Sequence, residues 1–271
     1  MNINSLLRDG DVNNPYKYAI REIISRLRWD ISTESRRSRC RLIDLHKKYL
    51  GKSAVIVCNG PSLLKTDLPL LSNVYTFGLN KINLLFDKSD FRPSCIVAVN
   101  AFVIEQNRDY YNQTDCPLFL DRVAVKQVRH RENVIFLHSS DQAKFARDCS
   151  MSIKQGNTVT FVAMQLAFHM GFRHIALVGC DHNFAQKGPA NKTVKAEGDD
   201  QSHFDPRYFS GGVNWQLPDL AASEHFYSVA GDTFAAAGGS IVNCTEGGKL
   251  EVFERASLVS WIGRHCKSEH V

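Results

Sequence analysis

Three apolar runs in this 271-residue chain end on asparagine: "AVIVC" leads into Asn59-Gly60-Pro61-Ser62, "YTFGL" into Asn80, and "CIVAV" into Asn100. A fourth, "IALVGC", leads into Asp181-His182-Asn183. Asparagine is disfavoured inside strands, yet at a strand's exit its amide offers a ligand both donors and an acceptor. A turn or a helix cap is the plain alternative at any one of these positions. Repetition at successive run ends is what points to a shared binding edge. Gly60 permits close backbone approach, Pro61 suits a first helical turn, and Ser62 brings a hydroxyl to that helix start, which together describe a phosphate or sugar cradle. The spacing fits neither Gly-x-Gly-x-x-Gly nor the P-loop, so neither an NAD nor a Walker-type ATP site is supported.

Gly156-Asn157-Thr158 form a second cradle of this kind, because they precede the most strongly helical segment, "TVTFVAMQLAFHM". Its first-turn amides and positive dipole end would face an anion, and N-capping by Asn157 or Thr158 is compatible with that role. Asp181, His182, Asp199, Asp200, His203 and Asp205 lie in or beside a long polar segment. Such a group either binds a divalent cation or supplies a general base. His203 is the best single base candidate, since an imidazole with an ordinary pKa of about 6.5 can take a hydroxyl proton at neutral pH. His169, among apolar helical neighbours, reads as structural. Trp215 and Tyr208 read either as a stacking wall for a base or sugar or as anchors for the segment. Lys249 reads as a surface lysine or a phosphate contact.

The elements that must position these residues follow from periodicity. Residues 14–50 carry apolar side chains at helical spacing, predicting one or two amphipathic helices stopped by Gly51. "SAVIVC", "VYTFGLN", "SCIVAVN", "PLFLD", "NVIFLHS", "HIALVGCD" and "GSIVNCT" are short and apolar on both faces, as strands of a covered parallel sheet are. Helical stretches between most of them predict right-handed crossovers in an α/β, Rossmann-like, doubly wound and mostly parallel sheet. Pro218 is placed at the start of a further helix closed by Gly238-Gly239. The expected organisation is an N-terminal helical segment, 1–50, and a Rossmann-like domain carrying the phosphate or sugar cradles, 51–271, with a lid-like insertion at 182–217. Ligands of open parallel sheets sit beyond the carboxyl ends of the strands, where all these motifs fall.

Composition sets the outer bounds. With 44% hydrophobic and 23% charged residues the chain can bury a full core. The net charge of +5 is mild and gives no reason to expect nucleic acid. Arg36, Arg37, Arg39 and Arg41 crowd together, as a solvated helix face or as a peripheral contact with an anionic membrane or acidic glycan. A homo-oligomer is the other use open to these helices. Cys58, Cys95, Cys180 and Cys244 fall in or beside strand-like runs and read as small core residues in a reducing cytoplasm. "MNINSLLRDGDVNN" lacks the pattern of a secretory signal, and no run approaches the length of a membrane span, so a cytoplasmic protein is expected, with the inner face of the membrane as a docking place.

The ordered set of "NGPSL", asparagine at the next two strand ends, a Gly-Asn-Thr helix start and a "VGCD" strand resembles bacterial sialyltransferases that use CMP-activated sugars. Still more closely it resembles the central domain of the motility-associated (Maf) flagellin glycosyltransferases, which is similar to archaeal 6-hydroxymethylpterin diphosphokinases. The resemblance runs from about residue 52 to 255 and includes "SHFDPRYF", "LPDLAASE" and "GGKLEVF". It implies a GT-A-like variant of the Rossmann-type fold, with Asn59, Ser62, Asn80, Asn100 and the Gly156-Asn157-Thr158 turn on the nucleotide and donor sugar. His182, Asn183 and Phe184 stand where the sialyltransferases have a tyrosine, and no histidine matches their catalytic one, so His203 is assigned on its chemistry. The expected activity is inverting transfer of a nonulosonic acid from a CMP-linked donor to a glycan or protein hydroxyl, with His203 as base and Asp181 and His182 beside it. That scheme requires no metal cofactor. The alternatives are an Mg²⁺-dependent pterin diphosphokinase and a non-catalytic nucleotide- or glycan-binding module.

Overall fold

The computed structural model describes residues 14–141, 144–186 and 188–266; the opening stretch 1–13, read above for a signal sequence, lies outside them. Seven parallel strands form one sheet: β1 (Ser53–Val57), β2 (Tyr75–Leu79), β3 (Cys95–Ala98), β4 (Leu118–Asp121), β5 (Val134–Leu137), β6 (His174–Val178) and, after a further pair, β9 (Ser240–Asn243). Their order is β5-β4-β3-β2-β1-β6-β9. These are the seven runs expected from the sequence. The chain winds outward from β1 to β5 and then returns to β6 on the other side of β1, so the order reverses between β1 and β6. That is where open α/β sheets place their ligands.

Both faces are covered, which explains strands without alternation. Ala54, Ile56, Phe77 and Val97 pack on one side with α5 (Val159–Met170), whereas Val55, Val57, Ile96 and Ala98 pack on the other with Leu63, Ile82 and Trp261. α5 is apolar all round because α6 (Leu220–Ala236) covers its outer side; Phe161 packs on Phe226, and Phe168 on Phe234. Gly171 ends α5 at φ 100°, as its position after "AFHM" predicts. Several crossovers are shorter than expected. Only 3-10 turns, Pro61–Lys65 and Leu68–Leu71, separate β1 from β2. α3 (Ala101–Gln106) and α4 (Arg108–Gln113) link β3 to β4, and α7 (Leu258–His265) closes the described chain.

The N-terminal helices are α1 (Pro15–Asp30) and α2 (Thr33–Leu45). Gly51 is not the stop: α2 ends at Leu45, and Gly51 lies farther on, its amide donating to the Gly171 carbonyl at 3.1 Å. α2 lies along the free edge of β5. There Ser38 Oγ accepts from the Phe136 amide at 2.9 Å, and Arg41 donates to the carbonyls of Arg131 and Val134 at 2.9 and 2.8 Å. An open edge is thereby closed by side chains, which is how proteins suppress edge-to-edge pairing. Much of the arginine crowd is spent in the same region: Arg37 pairs with Glu34 and Arg39 with Asp30. No described helix is long and apolar enough to cross a membrane. All eight cysteines are free thiols, with Cys58, Cys95, Cys180 and Cys244 buried as expected.

The 182–217 insertion has structure of its own. β7 (Thr193–Lys195) and β8 (Asn214–Gln216) form an antiparallel pair, over a small apolar cluster of Ala196, Trp215 and Leu217. The Phe204 amide donates to the Asn59 carbonyl at 2.9 Å, Gln106 Nε2 to the Asn214 carbonyl at 2.8 Å, and Asn100 Nδ2 to Gln216 Oε1 at 3.1 Å. The insertion therefore crosses the carboxyl ends of β1, β2 and β3. Pro218 precedes α6 rather than opening it, since Asp219 is the cap and accepts from the Ala222 amide at 3.0 Å.

Candidate functional site

Between the sheet's carboxyl edge, the start of α5 and the insertion lies a cleft of about 500 Å³. Its lining includes Asn59, Gly60, Asn80, Asn100, Gly156, Asn157, Thr158, Asp181, His182 and His203. Ten residues from separate strand ends, the Gly-Asn-Thr turn and the insertion thus meet in one place. Pro61 and Ser62 do not reach it.

The first cradle is occupied by the protein itself. Asp181 Oδ2 accepts from the Ser62 hydroxyl at 2.6 Å and from the Ser62 amide at 3.2 Å, and so takes the anion position at the start of the 3-10 turn. Ser62 is buried and committed to that carboxylate. Gly60 has an ordinary φ of −70°, so its requirement is space: a Cβ there would lie 1.9 Å from Asp181 Oδ2 and 2.7 Å from the Gly179 carbonyl oxygen. The close approach read from the sequence is real, but it comes from the β6 exit and not from a ligand.

The three asparagines divide into two kinds. Asn59 donates to the Leu79 carbonyl at 3.0 Å, which leaves its Oδ1 buried and without a partner; Asn80, in a left-handed turn at φ 48°, likewise keeps a buried, unpartnered Oδ1. The buried Tyr208 hydroxyl, equally without a close partner, interacts with the Asn80 side chain and is the protein donor nearest to hand, since an unmade buried hydrogen bond costs about 1–3 kcal/mol. Asn100 is the expected cap, accepting from the Phe102 amide at 2.9 Å at the start of α3.

At the second cradle Gly156 and Asn157 both have positive φ, 60° and 58°, and Thr158 caps α5 through the Thr160 amide. A Cβ on Gly156 would lie 2.4 Å from the Phe161 ring, so this turn admits only glycine. Lys154, two residues earlier, also lines the cleft; its Nζ donates to the Asp141 carbonyl at 2.8 Å. Its place just before Gly-Asn-Thr is the sequence signal for it.

The insertion supplies the wall. His203 Nδ1 pairs with Asp200 Oδ2 at 2.7 Å, and its ring stacks on Tyr208 with centroids 3.9 Å apart and planes 1° apart. Phe209 meets the same ring edge-on at 5.3 Å and stacks in turn on Trp215. Tyr208 and Trp215 are therefore anchors engaged by other rings. The acidic group does not gather. Asp200 serves His203, and Asp205 is buried among Lys88 at 2.9 Å and Arg207 at 2.9 and 3.0 Å, the Arg207 bonds holding its carboxyl far below the usual range. Behind the wall, buried Lys81 donates to Gln106 Oε1 at 2.7 Å and to the Tyr208 carbonyl at 2.5 Å, and burial lowers its pKa to about 8. His182, at φ 51°, pairs with Glu224 Oε1 at 3.0 Å. Exposed Lys249 is not in the lining; its amide holds the Asp181 carbonyl at 2.7 Å.

This arrangement offers a positive helix end with a lysine, two neutral acceptors, and a histidine oriented by a carboxylate. No curated protein matches the chain. Among solved structures it is similar to the Maf glycosyltransferase from Magnetospirillum magneticum AMB-1, at 17% identity and a TM-score of 0.49, over 77% of this chain. The chain spans 34% of that protein's length. Residues 35–187, more than half of the chain, match the 6-hydroxymethylpterin diphosphokinase MptE-like family, which contains the strand ends and the Gly-Asn-Thr turn described above. The chain thus belongs to the 6-hydroxymethylpterin diphosphokinase MptE-like family.

Proposed function

We propose that the cleft binds a CMP-activated nonulosonic acid and transfers the sugar, with inversion, to a glycan or protein hydroxyl. The observation that carries this reading is the Asp200–His203 pair in the cleft wall. A carboxylate on Nδ1 fixes the tautomer whose Nε2 lone pair can take the acceptor's proton. As the acceptor oxygen attacks the anomeric carbon, the bond to the CMP phosphate breaks. The amides at the start of α5 and the Lys154 ammonium then stabilise the departing phosphate. Asn59 and Asn80, in the cleft lining, would turn their side-chain amides to polar groups of the nucleotide. Every group used in this scheme belongs to the chain, and we place the reaction in the cytoplasm, where CMP-sugars would be at hand.

A second reading, Mg²⁺-dependent diphosphoryl transfer from ATP to a pterin, is favoured by the family match itself. In it Asp181 and Asp141, the carboxylates of the cleft lining, would hold the cation that neutralises the phosphates. Asp181 is already bound by Ser62, which makes it a poor free ligand. Thermal-shift measurements with CMP, CDP, UDP, ADP and ATP, each with Mg²⁺ and with EDTA, separate the readings. CMP is expected to stabilise the protein equally in both conditions. Stabilisation by ATP with Mg²⁺ alone, and none by CMP, would overturn the transferase reading.

A further inference from the structure

At the opposite end of α5 from the cleft, about 18 Å away at 1.5 Å per residue, three metal-ligating side chains from separate parts of the chain converge. His46 follows the end of α2, Asp148 lies in the loop after β5, and His169 is in the last turn of α5. His46 Nδ1 is 3.3 Å from His169 Nδ1, and His169 Nδ1 is 3.4 Å from Asp148 Oδ1. All three donor atoms lie within 4.8 Å of one another.

His169 is buried, and its Nε2–H donates to the Leu42 carbonyl at 2.8 Å. That bond fixes the tautomer and leaves Nδ1 unprotonated, beside the other two groups. The same outer hydrogen bond to a backbone carbonyl orients metal-binding histidines generally. His169 Nδ1 accepts from the Cys149 amide at 3.2 Å, a hydrogen bond that an ion would displace.

Four ligands at the 2.0–2.1 Å typical of zinc–nitrogen bonds stand about 3.3–3.4 Å from one another in a tetrahedron. The two short separations match that edge. Two imidazoles and one carboxylate suit a borderline ion, whereas Mg²⁺ prefers a shell of oxygens. His46 and Asp148 are exposed, so water has access to a fourth position.

We propose that His46, Asp148 and His169 form a binding site for a zinc-class divalent ion that fastens the N-terminal helices to the far end of α5. The site is independent of the cleft and of the function proposed for it. In the full chain at neutral pH, Zn²⁺ competed against a chromophoric chelator is expected to bind with one tight equivalent, and Co²⁺ to give the visible absorption of a tetrahedral ion. His46→Ala and Asp148→Asn change exposed residues and are expected to leave the fold intact by circular dichroism. Each should weaken Zn²⁺ by more than the roughly 10–100-fold that loss of an outer-shell partner costs. Absence of a tight equivalent in the wild-type chain, or unchanged affinity in either variant, overturns the site.

Discussion

Replacing His203 by alanine is expected to lower sugar transfer by about 10²–10⁴-fold, the usual contribution of a positioned base, while CMP affinity changes little. The residue lies in the cleft wall with a carboxylate at 2.7 Å on Nδ1, on an insertion pinned to the sheet edge at Asn59 and Asn100. Its stacking on Tyr208 makes part of any loss structural, so the Asp200→Asn variant is the companion measurement. The amide keeps the size of the side chain and removes its charge, which favours the wrong tautomer of His203 and should lower turnover without loosening the insertion. Turnover unchanged in His203→Ala would remove the base from the mechanism. Equal losses of turnover and CMP affinity would make the residue a binding contact instead.

Gly60→Ala is expected to destabilise the protein by on the order of 3 kcal/mol or more. The added carbon would overlap the Asp181 carboxylate at 1.9 Å and a backbone carbonyl at 2.7 Å, and only the side chain can move away cheaply. Moving it breaks the two hydrogen bonds from Ser62, which join the β1 exit to the β6 exit where the strand order reverses. Urea unfolding measures the loss as a lower midpoint at unchanged slope. A loss under about 1 kcal/mol would mean that the two strand exits are not locked together.

The strands were legible because each is apolar on both faces, a pattern that a helix-covered parallel sheet imposes locally. α5 was legible for a similar reason, with Gly171 at its end. What escaped depends on partners distant in sequence. Ser62 and Asp181 are 119 residues apart, so "NGPS" gave no sign that its anion would be an internal carboxylate. Arg41 reads as part of a solvated helix face, and only the position of β5 turns it, with Ser38, into the covering of a sheet edge. In the insertion, polar composition suggested a loop, yet rings spaced through it, Phe184, Tyr208, Phe209 and Trp215, pack with His203 and one another and order it. The asparagines show both outcomes in one motif. Asn100 is a helix cap, while Asn59 donates to the Leu79 carbonyl and Asn80 takes a left-handed turn, each with a buried Oδ1.

The account turns on whether the cleft carries out sugar transfer without metal. The most direct test incubates the purified chain with a CMP-linked nonulosonic acid and candidate glycan acceptors in EDTA, and follows CMP release together with the anomeric configuration of the product. Release of CMP with an inverted linkage, lost in His203→Ala, is the predicted result. No CMP release, combined with conversion of ATP to AMP in the presence of Mg²⁺ and a hydroxymethylpterin, would contradict it.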